Sequence, residues 1–235
     1  MIDMLVAAAL CPCPPLLVPE VASGAAAELD GLRAACADAV AELLAAGPEL
    51  LVLVGGGPQA QVWTEGGIGS FHRFGVDRVV RLPVGGVEGP ELSPALSVGA
   101  WLLEQSGTEL PAHACAVPAD TPVERLVGLG EGLAALADRV GLLVLGDGSA
   151  CRTVKAPGYL DERAEEFDAG LARALGAADT EALLGLDAEL CRELQVAGRA
   201  PWQVLAGAAR GAGLGGRLGH QEAPYGVGYF VASWS

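Results

Sequence analysis

The stretch "ELLVLVGGG" at residues 49–57 constrains the fold more than any other. Its apolar residues run together without alternation, so both faces of the strand must be covered, and it closes on glycines where backbone can approach a site. A strand buried on both sides belongs inside a parallel sheet. "GLLVLGDGSAC" (141–151) repeats the pattern, ending in a polar turn. "MLVAAALC" (4–11) reads as an opening strand, "DRVVRLPV" (77–84) as a third, "AHACAVPA" (112–119) as a short one and "GVGYFVASW" (226–234) as the last. Helical patterns alternate with these runs. Residues 28–47 place Leu32, Cys36, Val40, Leu43 and Leu44 on one face before Gly47. Residues 92–107 have a helix start signal and a glycine stop, and residues 121–140 begin with a capping pattern, Thr121 and Glu124. Two or three helices fill 160–213. This order predicts a single α/β domain over residues 1–235, with a mostly parallel central sheet and helices on both faces.

With 235 residues, 51% of them hydrophobic, and a mean hydropathy of +0.40, the chain can bury a real core and is not disordered. No apolar run approaches the ~20 residues of a membrane helix. "MIDMLVAAAL" lacks a basic leader region, so a cytoplasmic protein is expected. The net charge of −15 makes nucleic acid and anionic membranes poor partners. The six cysteines (Cys11, Cys13, Cys36, Cys115, Cys151 and Cys191) are dispersed without a CxxC pair, and most should be small buried hydrophobes.

In sheets of this kind, ligands collect beyond the carboxyl ends of the strands. That brings four segments to one mouth: 11–15, 55–59, 147–152 and 220–225. The expected lining is Cys13, Gly57, Gln59, Asp147, Ser149, Cys151, Arg152, His220 and Tyr225. Cys13 and Cys151 facing one another would suit Zn or Cu(I), with His220 as a third ligand. Cys11 is read as a core strand residue on the opposite face from Cys13, which keeps the two from sharing one metal. Cys151 could instead be a nucleophile, with His220 as base and Asp147 orienting it. Asp147, Ser149 and Arg152 could equally form a turn capped by its own side chains. His72 reads as a partly buried, satisfied histidine, and His113 lies outside the four segments. Lys155, the sole lysine, reads as a solvated loop residue rather than a Schiff-base amine. "GGGP" (55–58) lacks the Lys-Ser/Thr of a phosphate loop, and "GLGEGL" (128–133) sits inside a helical pattern.

These segments, in this order, resemble the class III extradiol ring-cleavage dioxygenases (B-subunit type) and their Memo-like relatives. Pro12-Cys13-Pro14-Pro15 stands where that family has Pro-His-Pro-Pro, and Gly55-Gly56-Gly57 where it has Ser-Pro-His. Gly146-Asp147-Gly148-Ser149-Ala150-Cys151-Arg152 parallels Gly-Asp-Leu-Ser-His-Arg, followed by Pro157-Gly158-Tyr159 and Phe167-Asp168. Ala197-Gly198-Arg199 parallels the Memo-like Cys-Gly-Arg, and "APYGVGYFVASW" the terminal strand. The resemblance implies the fold of that family and an Fe(II) site of two histidines and a carboxylate. Mapped onto this chain, those ligands fall on Cys13, Gly57 and Ala197 or Gly198, and the acid/base histidine on Ala150 or Cys151. Glycine and alanine have no side-chain lone pair. The expectation is therefore a degenerate relative without cofactor or dioxygenase activity, binding a small molecule or a protein partner at the vestigial pocket, or assembling as a homo-oligomer. The alternative is an enzyme with replaced thiol or soft-metal chemistry at Cys13, Cys151, Asp147 and His220.

Overall fold

A computed structural model describes residues 5–64, 66–83 and 90–235. In chain order its elements are β1 (Leu5–Cys11), α1 (Pro19–Ala22), α2 (Asp30–Ala45), β2 (Leu50–Gly56), β3 (Gln61–Trp63), β4 (Ile68–Ser70), β5 (Val79–Arg81), α3 (Pro94–Ser106), β6 (Ala112–Val117), α4 (Val123–Ala134) and β7 (Val140–Leu145). α5 (Arg163–Ala177), α6 (Thr180–Leu184), α7 (Ala188–Glu193), α8 (Arg199–Ala208), β8 (Gly216–Glu222) and β9 (Tyr229–Trp234) complete the chain. The main sheet runs β3-β6-β2-β7-β1-β9-β8. β6, β2, β7 and β1 pair in parallel, while β3, β9 and β8 join antiparallel to their inner neighbours. The expected single α/β domain with helices on both faces is what folds.

Period two explains why the inner strands are apolar throughout. Val52, Val54, Leu142 and Val144 enter the layer under α4, α5 and α8, while Leu51, Leu53, Leu143 and Leu145 enter the layer under α2 and α3. Leu32, Cys36, Val40 and Leu43 are all buried, as the helical spacing required. Leu44 is only half-buried at the edge of that layer. Cys11, the last residue of β1, and Cys13, two residues on in the chain that leaves it, both pack toward the α2–α3 layer. The expectation that set them on opposite faces is corrected.

Other expectations change in detail. The run at 77–84 does not enter the main sheet: β5 pairs only with β4 in a two-stranded ribbon, and Val84, like Met4 of the first run, lies outside the described residues. β3, β4 and β8 were not anticipated. Four helices rather than two or three occupy 160–213. Thr121 does not cap α4; its Oγ1 donates to Pro118 O at 2.9 Å, and Pro122 holds the N-cap position without a side-chain cap. No helix among the described residues is long and apolar enough to cross a membrane.

α4 and α8 cross at contact distance through two glycines. A Cβ on Gly130 would stand 2.0 Å from Val204 O, and one on Gly207 would stand 2.5 Å from Val127 O. "GLGEGL" is thus a helix-packing feature rather than a phosphate loop. Gly128 and Gly132, on the same helix, meet nothing within 4 Å. Gly130→Ala should destabilise the fold by about 3 kcal/mol or more by prying the helices apart, whereas exposed Gly128→Ala should stabilise it by ~0.5–1 kcal/mol. Urea unfolding of the two variants checks this opposite pair of signs.

Candidate functional site

The carboxyl ends of β2, β7 and β1 lie side by side, and Asp147, two residues beyond β7, joins them. Its Oδ1 accepts the Cys13 N–H at 2.8 Å, and its main-chain carbonyl accepts the Gly198 N–H at 2.9 Å. One residue earlier, the Gly146 N–H donates to Cys11 O at 3.1 Å. On the β2 side, a Cβ on Gly56 would find Ala197 O at 3.9 Å. Cys13 and Ala197-Gly198 are therefore gathered beside Asp147, with Gly56 approaching from β2, while the position of a Gly57 side chain faces Ala116 and Ser93.

Electrostatics marks the same spot. Burial outweighs the bonds from Cys13 and raises the Asp147 carboxyl to about 6. The Cys13 thiol is held well above its usual range, first by burial and then by the Asp147 charge. Tyr229, cross-strand from Glu222 on β8, also has its hydroxyl pushed up, by burial and then by Asp147 and Cys13. Each group disfavours a second negative charge nearby, so the centre resists holding a carboxylate and a thiolate together.

Several expected lining residues are used elsewhere. Ser149 is fully buried, giving its N–H to Asp168 Oδ1 at 2.9 Å and its Oγ–H to Asp168 Oδ2 at 2.8 Å. Arg152 reaches the same Oδ2 at 3.2 Å. These two residues form an internal staple and do not line the mouth. The turn is therefore not capped by its own side chains: Ser149 and Arg152 bond to Asp168 on α5, and Asp147 bonds to Cys13. Cys151 is buried in the layer under α8; its Sγ donates to Leu194 O at 3.6 Å, and a Cβ on Gly158 would stand 2.4 Å from it. Its thiol is raised, by burial first and then by the Asp161 and Asp168 charges. Cys13 and Cys151 thus enter opposite layers and do not face one another. The Cys13–Cys151 soft-metal pair is corrected on this ground.

His220 lies on the outer strand β8, its ring Nε2 at 3.5 Å from Glu222 Oε2 without a hydrogen bond. Its cross-strand partner Val231 packs in the α2–α3 layer, whereas Cys151 packs in the other. The Cys151–His220–Asp147 arrangement does not assemble. Tyr225 is at the mouth's outer margin, donating to Glu28 Oε2 at 3.0 Å. Gln59 is exposed at the end of β2. His72 is exposed and bonded to Asp77 at 2.6 Å, not partly buried as expected. His113 is half-buried on β6, with Nδ1 unpartnered. Lys155 is exposed on its loop.

The residues present do not fit the family's iron. Gly57 has no room for a side chain, since a Cβ would stand 2.8 Å from Ala116 Cβ. A Cβ on Gly198 would meet the Trp202 ring at 2.2 Å. Among the described residues, no three His, Cys, Asp or Glu side chains are grouped as metal ligands.

Two cavities flank this centre. One of about 740 Å³ opens between the β6–α4 loop and α6–α8 and reaches Ala197. Another of about 200 Å³ lies beyond β2 and includes Gln59, Ser93 and Ala116. Sequence reasoning missed the role of Arg199, which lines the larger cavity. The available signal was a cation in the first turn of a helix, where the macrodipole disfavours it.

No family model and no curated protein matches the chain. Among solved structures, it is similar to the crystal structure of the uncharacterized protein JW3007 from Escherichia coli K12, with a TM-score of 0.51 and 12% identity. That match covers 98% of this chain and 100% of the other. It establishes the shared α/β architecture.

The raised Asp147 sets a pH dependence. Its carboxyl ionises less readily folded than unfolded, so its contribution to stability is fully present below pH ~4 and is lost as pH rises through about 6. Asp147→Asn, which keeps an oxygen for the Cys13 N–H, should flatten the melting profile between pH ~4 and ~7 and gain about 2 kcal/mol at neutral pH. Melting temperatures across that range, wild type against variant, check it; parallel profiles would refute it.

Proposed function

We propose that this protein is a degenerate relative of the class III extradiol dioxygenases that binds a small molecule at the strand-end mouth instead of cleaving an aromatic ring. The observation that supports this reading is that Cys13 and Ala197-Gly198, two of the ligand positions of the resemblance, meet beside Asp147, and of the ligand positions only Cys13 offers a side-chain lone pair. Glycine at 57 and 198 is enforced by Ala116 and Trp202, so those ligands are sterically excluded as well as absent. The flanking cavities supply what a binding protein needs: volumes within and just below the range of small-molecule sites. A protein partner on this face is the second occupant the reading allows. The acidic net charge of −15 argues against nucleic acid in either role.

The test is anaerobic loading with Fe(II), desalting, metal analysis and assay with a catechol under air. The expected outcome is no retained iron and no ring-fission chromophore. Stoichiometric iron together with ring cleavage would overturn the reading.

One contact favours a different chemistry, in which Cys13 and Asp147 act together in catalysis. Thiol chemistry runs through the thiolate, and burial with an adjacent carboxylate opposes its formation. Iodoacetamide should therefore modify Cys13 more slowly than free cysteine at neutral pH, as read by mass spectrometry of the digested protein. Faster modification would favour the catalytic reading.

A further inference from the structure

Arg199 occupies the first turn of α8 and is 6% exposed. Its guanidinium donates to Gln203 Oε1 at 2.8 Å, to Thr121 O at 3.1 Å and to Ala119 O. All three acceptors are neutral. Among the described residues, no carboxylate forms an ion pair with it, although the other buried or half-buried arginines at 33, 78 and 152 each have one. Burying an unneutralised cation is costly, and the helix dipole adds to that cost. Nearby, α4 begins at Val123 without a side-chain cap, which leaves a second helix N-terminus facing this region.

The guanidinium lines the 740 Å³ cavity. The cavity wall is otherwise apolar along Val123, Leu184, Leu186, Val196 and Ala197. Asp120, Glu124 and Glu189 also line it, and Glu189 is paired with Arg192. The site thus combines one uncompensated positive charge, an apolar wall and carboxylates that repel a second negative charge.

We propose that this cavity binds an organic monoanion with an apolar body, its charged head drawn to Arg199 and its body laid along Leu184, Leu186 and Val196. Binding neutralises the buried guanidinium and removes apolar ligand surface from water. Dianionic phosphates are disfavoured by the acidic side chains. The inference rests on the reading of this end of the sheet as a binding site, but not on the iron argument. Stoichiometric iron together with ring cleavage would overturn the earlier reading without touching this one.

Two probes of one skeleton separate charge from apolarity: anilinonaphthalene sulfonate, a monoanion, and neutral N-phenylnaphthylamine. In fluorescence titrations the sulfonate should bind one per chain and more tightly than the neutral probe. Arg199→Gln should weaken the sulfonate by about tenfold or more while leaving the neutral probe within about threefold. Ala188→Trp, at an exposed lining position, should abolish both without changing the melting temperature. Glu124→Gln, also exposed, should tighten the sulfonate about twofold. If Arg199→Gln fails to fold, the other two variants decide: blocking by the first with tightening by the second supports the site. Equal affinity for the two probes in wild type, or sulfonate binding indifferent to all the variants that fold, would overturn it.

Discussion

The double tie made by Asp147 holds the functional end of this molecule together. Its carboxylate takes the N–H of Cys13 after β1, and its main-chain carbonyl takes the N–H of Gly198 before α8. Because β7 is the central strand, one residue beyond it can reach both the neighbouring strand and the entry of the helix that covers the sheet. The assembly has an electrostatic consequence: burial shifts the Asp147 carboxyl to about 6 and raises the Cys13 thiol and the Tyr229 phenol, with the Asp147 charge adding to both. The burial that comes with this assembly keeps the thiol protonated, and the adjacent carboxylate adds to it.

Close packing explains the side chains that are missing there. A Cβ on Gly146 would stand 2.5 Å from Gly198 Cα, and the Trp202 ring fills the space over Gly198. With Ala116 pressed against Gly57, the backbone has closed into the volume that ligating side chains would need. Side chains could not be introduced at Gly57 and Gly198 without displacing Ala116 and Trp202, which occupy the space. The open volume lies to either side instead, and on the larger side an arginine without a counter-charge forms part of the wall.

Much of the architecture was legible because its signals are local. Unbroken apolar runs marked β2 and β7, helical spacing marked α2, and start and stop signals marked α3. β3, β4 and β8 were not legible: they are short or alternate with exposed polar residues, and their strand character comes from partners distant in sequence. β5 showed a strand pattern but gave no sign that it would leave the main sheet. Ala197 was expected at the site only from the resemblance, while strand-end logic correctly brought Cys13 to Asp147. It failed for Ser149, Arg152 and Cys151, because the turn after β7 swings back under α5 and α8, where Asp168 claims its donors. Nothing within "GDGSACR" shows which polar side chain faces a ligand and which faces a buried carboxylate nineteen residues on.

By itself, the sequence determined the fold class, the two-sided burial of the central strands and the absence of side-chain lone pairs at Gly57, Ala197 and Gly198. These follow from residue type and period, which act over a few neighbours. Only the tertiary structure decided that Cys13 and Cys151 part to opposite layers, that Gly57 and Gly198 are closed by Ala116 and Trp202, and that Arg199 is buried without a counter-charge. Each of those depends on which distant segments meet, and desolvation and steric exclusion are properties of that meeting rather than of any one stretch of chain.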